Sequence, residues 1–77
     1  MNKARRKAIE EIIDQLGMLK EQVESISEEE QEAFDKMPES FQNSERGDNM
    51  GWYVTDLEDA ASSIDDVMSA LQDIIDR

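Results

Sequence analysis

Residues 37–53, MPESFQNSERGDNMGWY, hold the chain's only proline, tryptophan and tyrosine, with two of its three glycines and one of its two phenylalanines. Pro38 has no amide to donate and disfavours helical geometry in the residue before it, so a helix that reaches Met37 has to stop there. The stretch reads as a bend, and what flanks it decides what is bent. Upstream, Ile9, Ile12, Leu16, Leu19, Val23 and Ile26 recur at alternating spacings of three and four, continued by Ala33 and Met37, with Glu30 the one polar break. Downstream, Met50, Tyr53, Leu57, Ala60, Ile64, Val67, Leu71 and Ile74 follow the same alternation without a gap. This is the spacing of a coiled-coil seam and excludes strands.

The pattern predicts a helix over about 3–36, a loop over about 37–43 and a helix over about 44–76, in one domain. Each helix is then about 50 Å long at about 1.5 Å per residue. Pro38 can open a short turn of helix at Glu39 to Gln42. Ser44 is the expected N-cap of the second long helix, with Thr55 and Glu58 a later capping-box alternative. A short loop closes an antiparallel pair if Ile26 faces Leu57, Val23 faces Ala60, Leu19 faces Ile64, Leu16 faces Val67 and Glu30 faces Tyr53. The expected fold is therefore all-α, an antiparallel helical hairpin with a coiled-coil-like seam.

Seventy-seven residues seldom build a core worth more than a few kcal/mol, and the absence of cysteine and histidine removes disulfides and the common thiolate or imidazole metal sites as reinforcement. Oligomerisation remains. Ile13 on the first helix and Ala61, Met68 and Ile75 on the second lie beside the expected seam and widen its apolar stripe to the breadth used in bundles. A dimeric four-helix bundle is the leading assembly, and a higher homo-oligomer would use the same surface. No apolar run approaches the roughly 18 residues of a membrane span, and the first residues lack the apolar core of a secretory signal. A soluble intracellular protein is expected, with no membrane partner.

Twenty acidic side chains against eight basic ones give a net charge of −12, which repels nucleic acid and makes direct DNA binding unexpected. Four of the eight basic residues are Lys3, Arg5, Arg6 and Lys7. Beside Asp73, Asp76 and the carbonyl end of the second helix they have a structural use, and they are also possible anion contacts. Glu30 facing Tyr53 has two readings: a register-fixing polar layer, or a pair open to a ligand's hydroxyl or amine. Trp52 lies on the outer flank of its helix, where a large aromatic marks an interface or a stacking platform. Gly47 and Gly51, four apart, make a smooth patch against which a neighbour is expected. Phe41 is expected to fold onto Phe34. Ser44 and Arg46 complete the ligand-binding candidates of this segment, which are Phe41, Ser44, Arg46, Gly47, Gly51, Trp52 and Tyr53 together with Glu30.

The tripeptide Arg46-Gly47-Asp48 is too short to carry an adhesion role. The acidic runs at Glu28 to Glu30 and Asp65-Asp66 lack the spacing of a calcium loop. No nucleophile stands beside an oriented base, so neither an enzyme nor a cofactor or metal site is expected.

The segment EQEAFDKMPESFQNSERGDNM, above all Phe34, Pro38, Glu39, Ser40, Gln42, Ser44 and Glu45, together with Leu57, Ala60, Ala61, Ile64 and Leu71 downstream, resembles a group of small acidic helical proteins of phages and prophages. The resemblance implies expression in a bacterial cytoplasm and brings no catalytic or binding residues with it. It points to a non-enzymatic counter-defence protein. Such a protein would either sequester a nucleotide immune signal, of the cyclic nucleotide or cyclic ADP-ribose type, in an oligomeric scaffold, or act as an acidic nucleic-acid mimic that inhibits a host or defence protein as anti-CRISPR proteins do. A phage assembly factor is the plainer alternative. The overall charge favours mimicry, but the concentration of aromatics and glycines in residues 37–53 favours the signal-binding sponge, which is the leading expectation with mimicry the alternative.

Overall fold

The computed structural model describes residues 1–77 as a rod of 59 × 15 × 12 Å. Its elements are α1 (Lys3–Asp35), α2 (Glu39–Gln42) and α3 (Glu45–Ile75), with no strand. The Asn2 side chain caps α1 by accepting from the Arg5 amide at 2.9 Å. Pro38 sits at φ −56°, outside the helix, and its carbonyl accepts from the amides of Phe41 and Gln42, so the residue that stops α1 also starts the single turn of α2. Ser44 precedes α3 in the N-cap position, but its hydroxyl donates to the Phe41 carbonyl and does not accept from α3. Thr55 is interior to α3, its hydroxyl donating to the Gly51 carbonyl.

The long helices pack antiparallel along their length. The seam, however, is not the one that hydropathy selects. On α1 the partly or fully buried positions are Arg6, Ile9, Ile13, Leu16, Gly17, Lys20, Val23, Ser27, Glu30 and Phe34, followed by Met37 just beyond the helix; on α3 they are Gly47, Met50, Val54, Leu57, Ala61, Ile64, Met68, Leu71, Ile74 and Ile75. Apart from Gly17 and Ile74, both sets alternate by three and four. Each shares half of its members with the expected ladder and exchanges the other half for the next position round the helix. Ile13, Ala61, Met68 and Ile75, read from the sequence as flanks, are inside. Ile12, Leu19, Ile26, Tyr53 and Val67, read as seam, are 46–59 % exposed.

The physical reason is backbone approach. Ser27 and Ala61 are among the five most buried residues, a Cβ at Gly17 would already lie 3.5 Å from Met68 Cε, and small side chains let two helices close in where Ile or Leu would hold them apart. The register follows from the same contacts: the buried Ser27 hydroxyl donates to the Val54 carbonyl at 3.4 Å, and Arg6 donates to the Ile75 carbonyl at 3.2 Å. Ser27 therefore faces Val54, and Ile26 does not face Leu57.

Gly47 is where α2 meets α3. A Cβ there would lie 2.7 Å from the Phe41 carbonyl oxygen, 2.6 Å from the Gln42 carbonyl carbon and closer still to the Gln42 oxygen. The bend is held a second time by Gln42, whose amide donates to the Phe34 carbonyl at 3.0 Å. At Gly51, by contrast, a Cβ would meet nothing within 4 Å, so the expected neighbour exists at one glycine and not at the other. No helix is long and apolar enough to cross a membrane.

Candidate functional site

A two-helix layer has two broad faces, and the observed seam assigns their chemistry. One face carries the positions next to Ile9, Leu16 and Val23 on α1 and to Leu57, Ile64 and Leu71 on α3. These are Ile12, Leu19 and Ile26, with Tyr53, Ala60 and Val67, all exposed. The opposite face carries Glu24, Glu28 and Glu32 of α1, spaced one turn or about 6 Å apart, against Glu58 and Asp65 of α3. Three shallow concavities of about 390, 270 and 160 Å³ run along it and share these carboxylates as lining residues.

Lys20 is the one cation lining that run of concavities, and the acids occupy it. Its ammonium donates to Asp65 at 3.3 Å and lies 3.6 Å from Glu24. The hydrogen bond and charge of Asp65 raise its pKa above the ordinary 10.5, so it stays protonated, and the remaining carboxylates face outward without a cation within 4 Å.

At the loop end of this acidic face lies the largest concavity, an open groove of about 590 Å³ lined by Phe34, Gln42, Gly47, Asp48, Gly51, Trp52 and Thr55. Trp52 is 67 % exposed, the most exposed of the large apolar side chains. The bare backbone at Gly51 and the seat of α2 on Gly47 form the groove around it. The groove contains a carboxylate, Asp48, and no basic side chain.

The structure thus brings together three of the sequence-predicted site residues, Gly47, Gly51 and Trp52, and separates the rest from them. Tyr53 points to the apolar face, and no hydrogen bond joins it to Glu30, which packs near the level of Met50 in the seam. The expected Glu30–Tyr53 layer is absent because rotation of α3 carries the phenol out of the interface. Phe41 is 52 % exposed and does not line the groove. Ser44 is engaged with Phe41, and Arg46 is exposed outside the groove.

Lys3, Arg6 and Lys7 line a separate concavity of about 440 Å³ with Ala4 and Glu10, at the far end of the rod. Arg5 is exposed beside it. The expected ion pairs of this cluster with Asp73 and Asp76 are not formed; Arg6 instead binds the last turn of α3 through the Ile75 carbonyl, where a cation is favoured by the orphan carbonyls of a helix end. About twenty residues of helix, on the order of 30 Å, separate this cluster from Trp52, so within one chain the aromatic and the cations cannot hold one nucleotide between them.

Phe34, Gln42, Asp48 and Thr55 are groove residues that the sequence reading missed, as it missed the buried Ser27. Choosing the seam through Ser27 would have placed Phe34 beside Gly47, and the remainder depends on how α2 docks. No family model, curated protein or solved structure matches the chain.

Proposed function

We propose that the protein is a non-enzymatic interaction protein that occupies a basic surface of another protein with its acidic face, anchored by Trp52. The observation that carries the reading is the placement of Trp52, the most exposed of the large apolar side chains, at the end of a double line of carboxylates whose only cation is already paired. An aromatic in a shallow groove is the usual energetic centre of an interface, and a surrounding field of one sign speeds encounter with a complementary partner and selects for it. Carboxylates one helical turn apart along α1, with Glu58 and Asp65 two turns apart on the antiparallel α3, offer a basic groove a spacing that a nucleic-acid backbone also offers. The resemblance to small phage proteins supports a nucleic-acid-binding host or defence protein in the bacterial cytoplasm as the partner. It also supports a homo-oligomer as the working form, because a two-helix layer this thin leaves a full face of apolar side chains uncovered.

The test is capture of partners from a bacterial lysate on the immobilised full chain across a salt series, with Trp52→Ala and a Glu24→Gln/Glu28→Gln/Glu58→Gln variant alongside. The expected result is a basic protein retained at low salt, displaced by duplex DNA, and lost with both variants. Retention unchanged in the triple variant would refute the electrostatic account.

A second reading, sequestration of a nucleotide signal, is favoured by one feature, the size and aromatic wall of the Trp52 groove. Asp48 within it opposes a phosphate. Native mass spectrometry with cyclic nucleotides and cyclic ADP-ribose separates the two readings, since stoichiometric ligand mass would establish the sponge and no added mass is expected.

A further inference from the structure

We propose that the apolar face of Ile12, Leu19, Ile26, Tyr53 and Val67 is covered by a second copy of this chain laid antiparallel to the first, about a dyad that passes between Leu19 and Ala60. It rests on the self-association suggested above and adds the face, the stoichiometry and the direction.

Area argues for a second copy. The chain exposes 5848 Å² at a mass of 8.8 kDa, whereas a compact monomer of that mass exposes about 4,800 Å² by the scaling of surface with mass. The surplus of about 1,000 Å² is close to the roughly 800 Å² that each partner contributes to a standard interface. It is concentrated where it would be used, since five of the nine exposed large apolar side chains belong to this face. No side chain of the isolated hairpin is fully buried, and the half-buried Leu16, Val23, Leu57 and Ile64 open toward the same face, so a second layer would complete a core that one layer only begins.

Charge argues for the direction. The register places Ile12, Leu19 and Ile26 roughly level with Val67, Ala60 and Tyr53. Ala60, the one small member, lies at the middle, where two layers can come closest. An antiparallel dyad there sets Ile12 and Val67 of one copy against Ile26 and Tyr53 of the other. It also sets the tip, where Lys3, Arg5, Arg6, Lys7 and Arg77 outnumber Glu10, Glu11, Asp73 and Asp76, beside the loop end of the second copy, where Glu32, Asp35, Glu39, Glu45 and Asp48 outnumber Lys36 and Arg46. A parallel dyad would stack tip on tip and loop on loop, like charge on like, within the roughly 8 Å over which charges still feel each other at physiological salt. In the antiparallel dimer both acidic faces and both Trp52 grooves point outward, so dimerisation leaves the proposed partner surface free and doubles it.

Sedimentation equilibrium of the full chain over nanomolar to millimolar concentration is the first test. A reversible monomer–dimer system is expected; a monomer throughout, or a trimer or larger ring, overturns the proposal. Leu19→Glu should weaken association at least about tenfold while circular dichroism keeps its helical signal, because Leu19 is 49 % exposed in the hairpin. Glu24→Gln on the opposite face should leave association unchanged. A dimer indifferent to Leu19→Glu would place the interface elsewhere.

Direction is read by oxidation, which is clean in a chain without cysteine. Mixed Ile12→Cys and Ile26→Cys chains should form a heterodimeric disulfide, whereas Ile26→Cys alone should not cross-link to itself. Self-linking of Ile26→Cys with no mixed product would retain a dimer and refute the antiparallel arrangement. Capture of a basic partner is scored separately on Leu19→Glu, so loss of the dimer and loss of partner binding are distinguishable.

Discussion

Replacing Gly47 by alanine should destabilise the protein, although the same change four residues later should stabilise it. In the interior of a helix, glycine costs about 1 kcal/mol relative to alanine, and both glycines lie within α3, Gly47 in its first turn and Gly51 further in, so propensity alone favours both substitutions. At Gly51 nothing opposes it, since a Cβ meets no atom within 4 Å. At Gly47 the Cβ would come to 2.6–2.7 Å of backbone atoms of Phe41 and Gln42, well inside the 3.4 Å at which ordinary contact begins. Relief requires α2 to lift off α3, because the obstacle is main chain and cannot rotate away. Overpacking of this kind costs about 3 kcal/mol at the upper end of its usual range. The net expectation is a loss of about 2 kcal/mol for Gly47→Ala and a gain of about 1 kcal/mol for Gly51→Ala. For a chain of this size that corresponds to a Tm lower by roughly 8–16 °C and higher by roughly 4–8 °C. The assay is thermal unfolding by circular dichroism at one fixed protein concentration, since self-association would make Tm depend on concentration. Equal stabilisation by the two substitutions would refute the docking of α2 and with it the wall of the Trp52 groove.

Removing the α1 cap by Asn2→Ala should cost about 1 kcal/mol, seen as a Tm lower by about 4–8 °C and as faster hydrogen exchange of the Arg5 amide, the group that the Asn2 side chain satisfies. The Lys20 bridge predicts a pH signature. Its pKa is raised in the folded chain by Asp65, so its stabilisation is complete below the unfolded value near 10.5 and disappears as pH rises through the higher folded value. The difference in urea midpoint between wild type and Lys20→Gln should therefore be constant from pH 7 to 9 and close above pH 10.5; a difference that persists at pH 12 would show that Lys20 acts by packing alone.

The bend was legible because Pro38 has few alternatives: it stops α1 and starts α2 by the same missing donor. Two long helices were legible from heptad spacing, which no strand can imitate. What hydropathy could not decide was the rotation of each helix. The sequence carries two overlapping ladders that share Ile9, Leu16 and Val23 on α1 and Leu57, Ile64 and Leu71 on α3. One ladder adds Ile12, Leu19 and Ile26; the other adds Ile13, Lys20 and Ser27. Ranking by hydrophobicity picks the first, but the hairpin closes on the second, because close approach at Gly17, Ser27 and Ala61 gains contact along both helices. The same misassignment hid the site. On the hydropathy-ranked ladder Tyr53 is internal and meets Glu30, and Phe34 has no place in the groove whose wall it forms. Trp52 was identifiable on either rotation, since its position lies outside both ladders.

Rotation is also the feature that one measurement can settle, through the alkylation rates of two neighbouring single-cysteine variants, Ser27→Cys and Ile26→Cys, followed over a range of protein concentration. Ser27→Cys should be protected at every concentration at which the chain is folded, because that position is buried between α1 and α3. Ile26→Cys should react freely in dilute protein and become protected only as the second copy binds. Protection of Ile26→Cys in dilute protein, with Ser27→Cys reactive, would restore the hydropathy-ranked seam and contradict the two-faced layer on which both the acidic partner surface and the dimer depend.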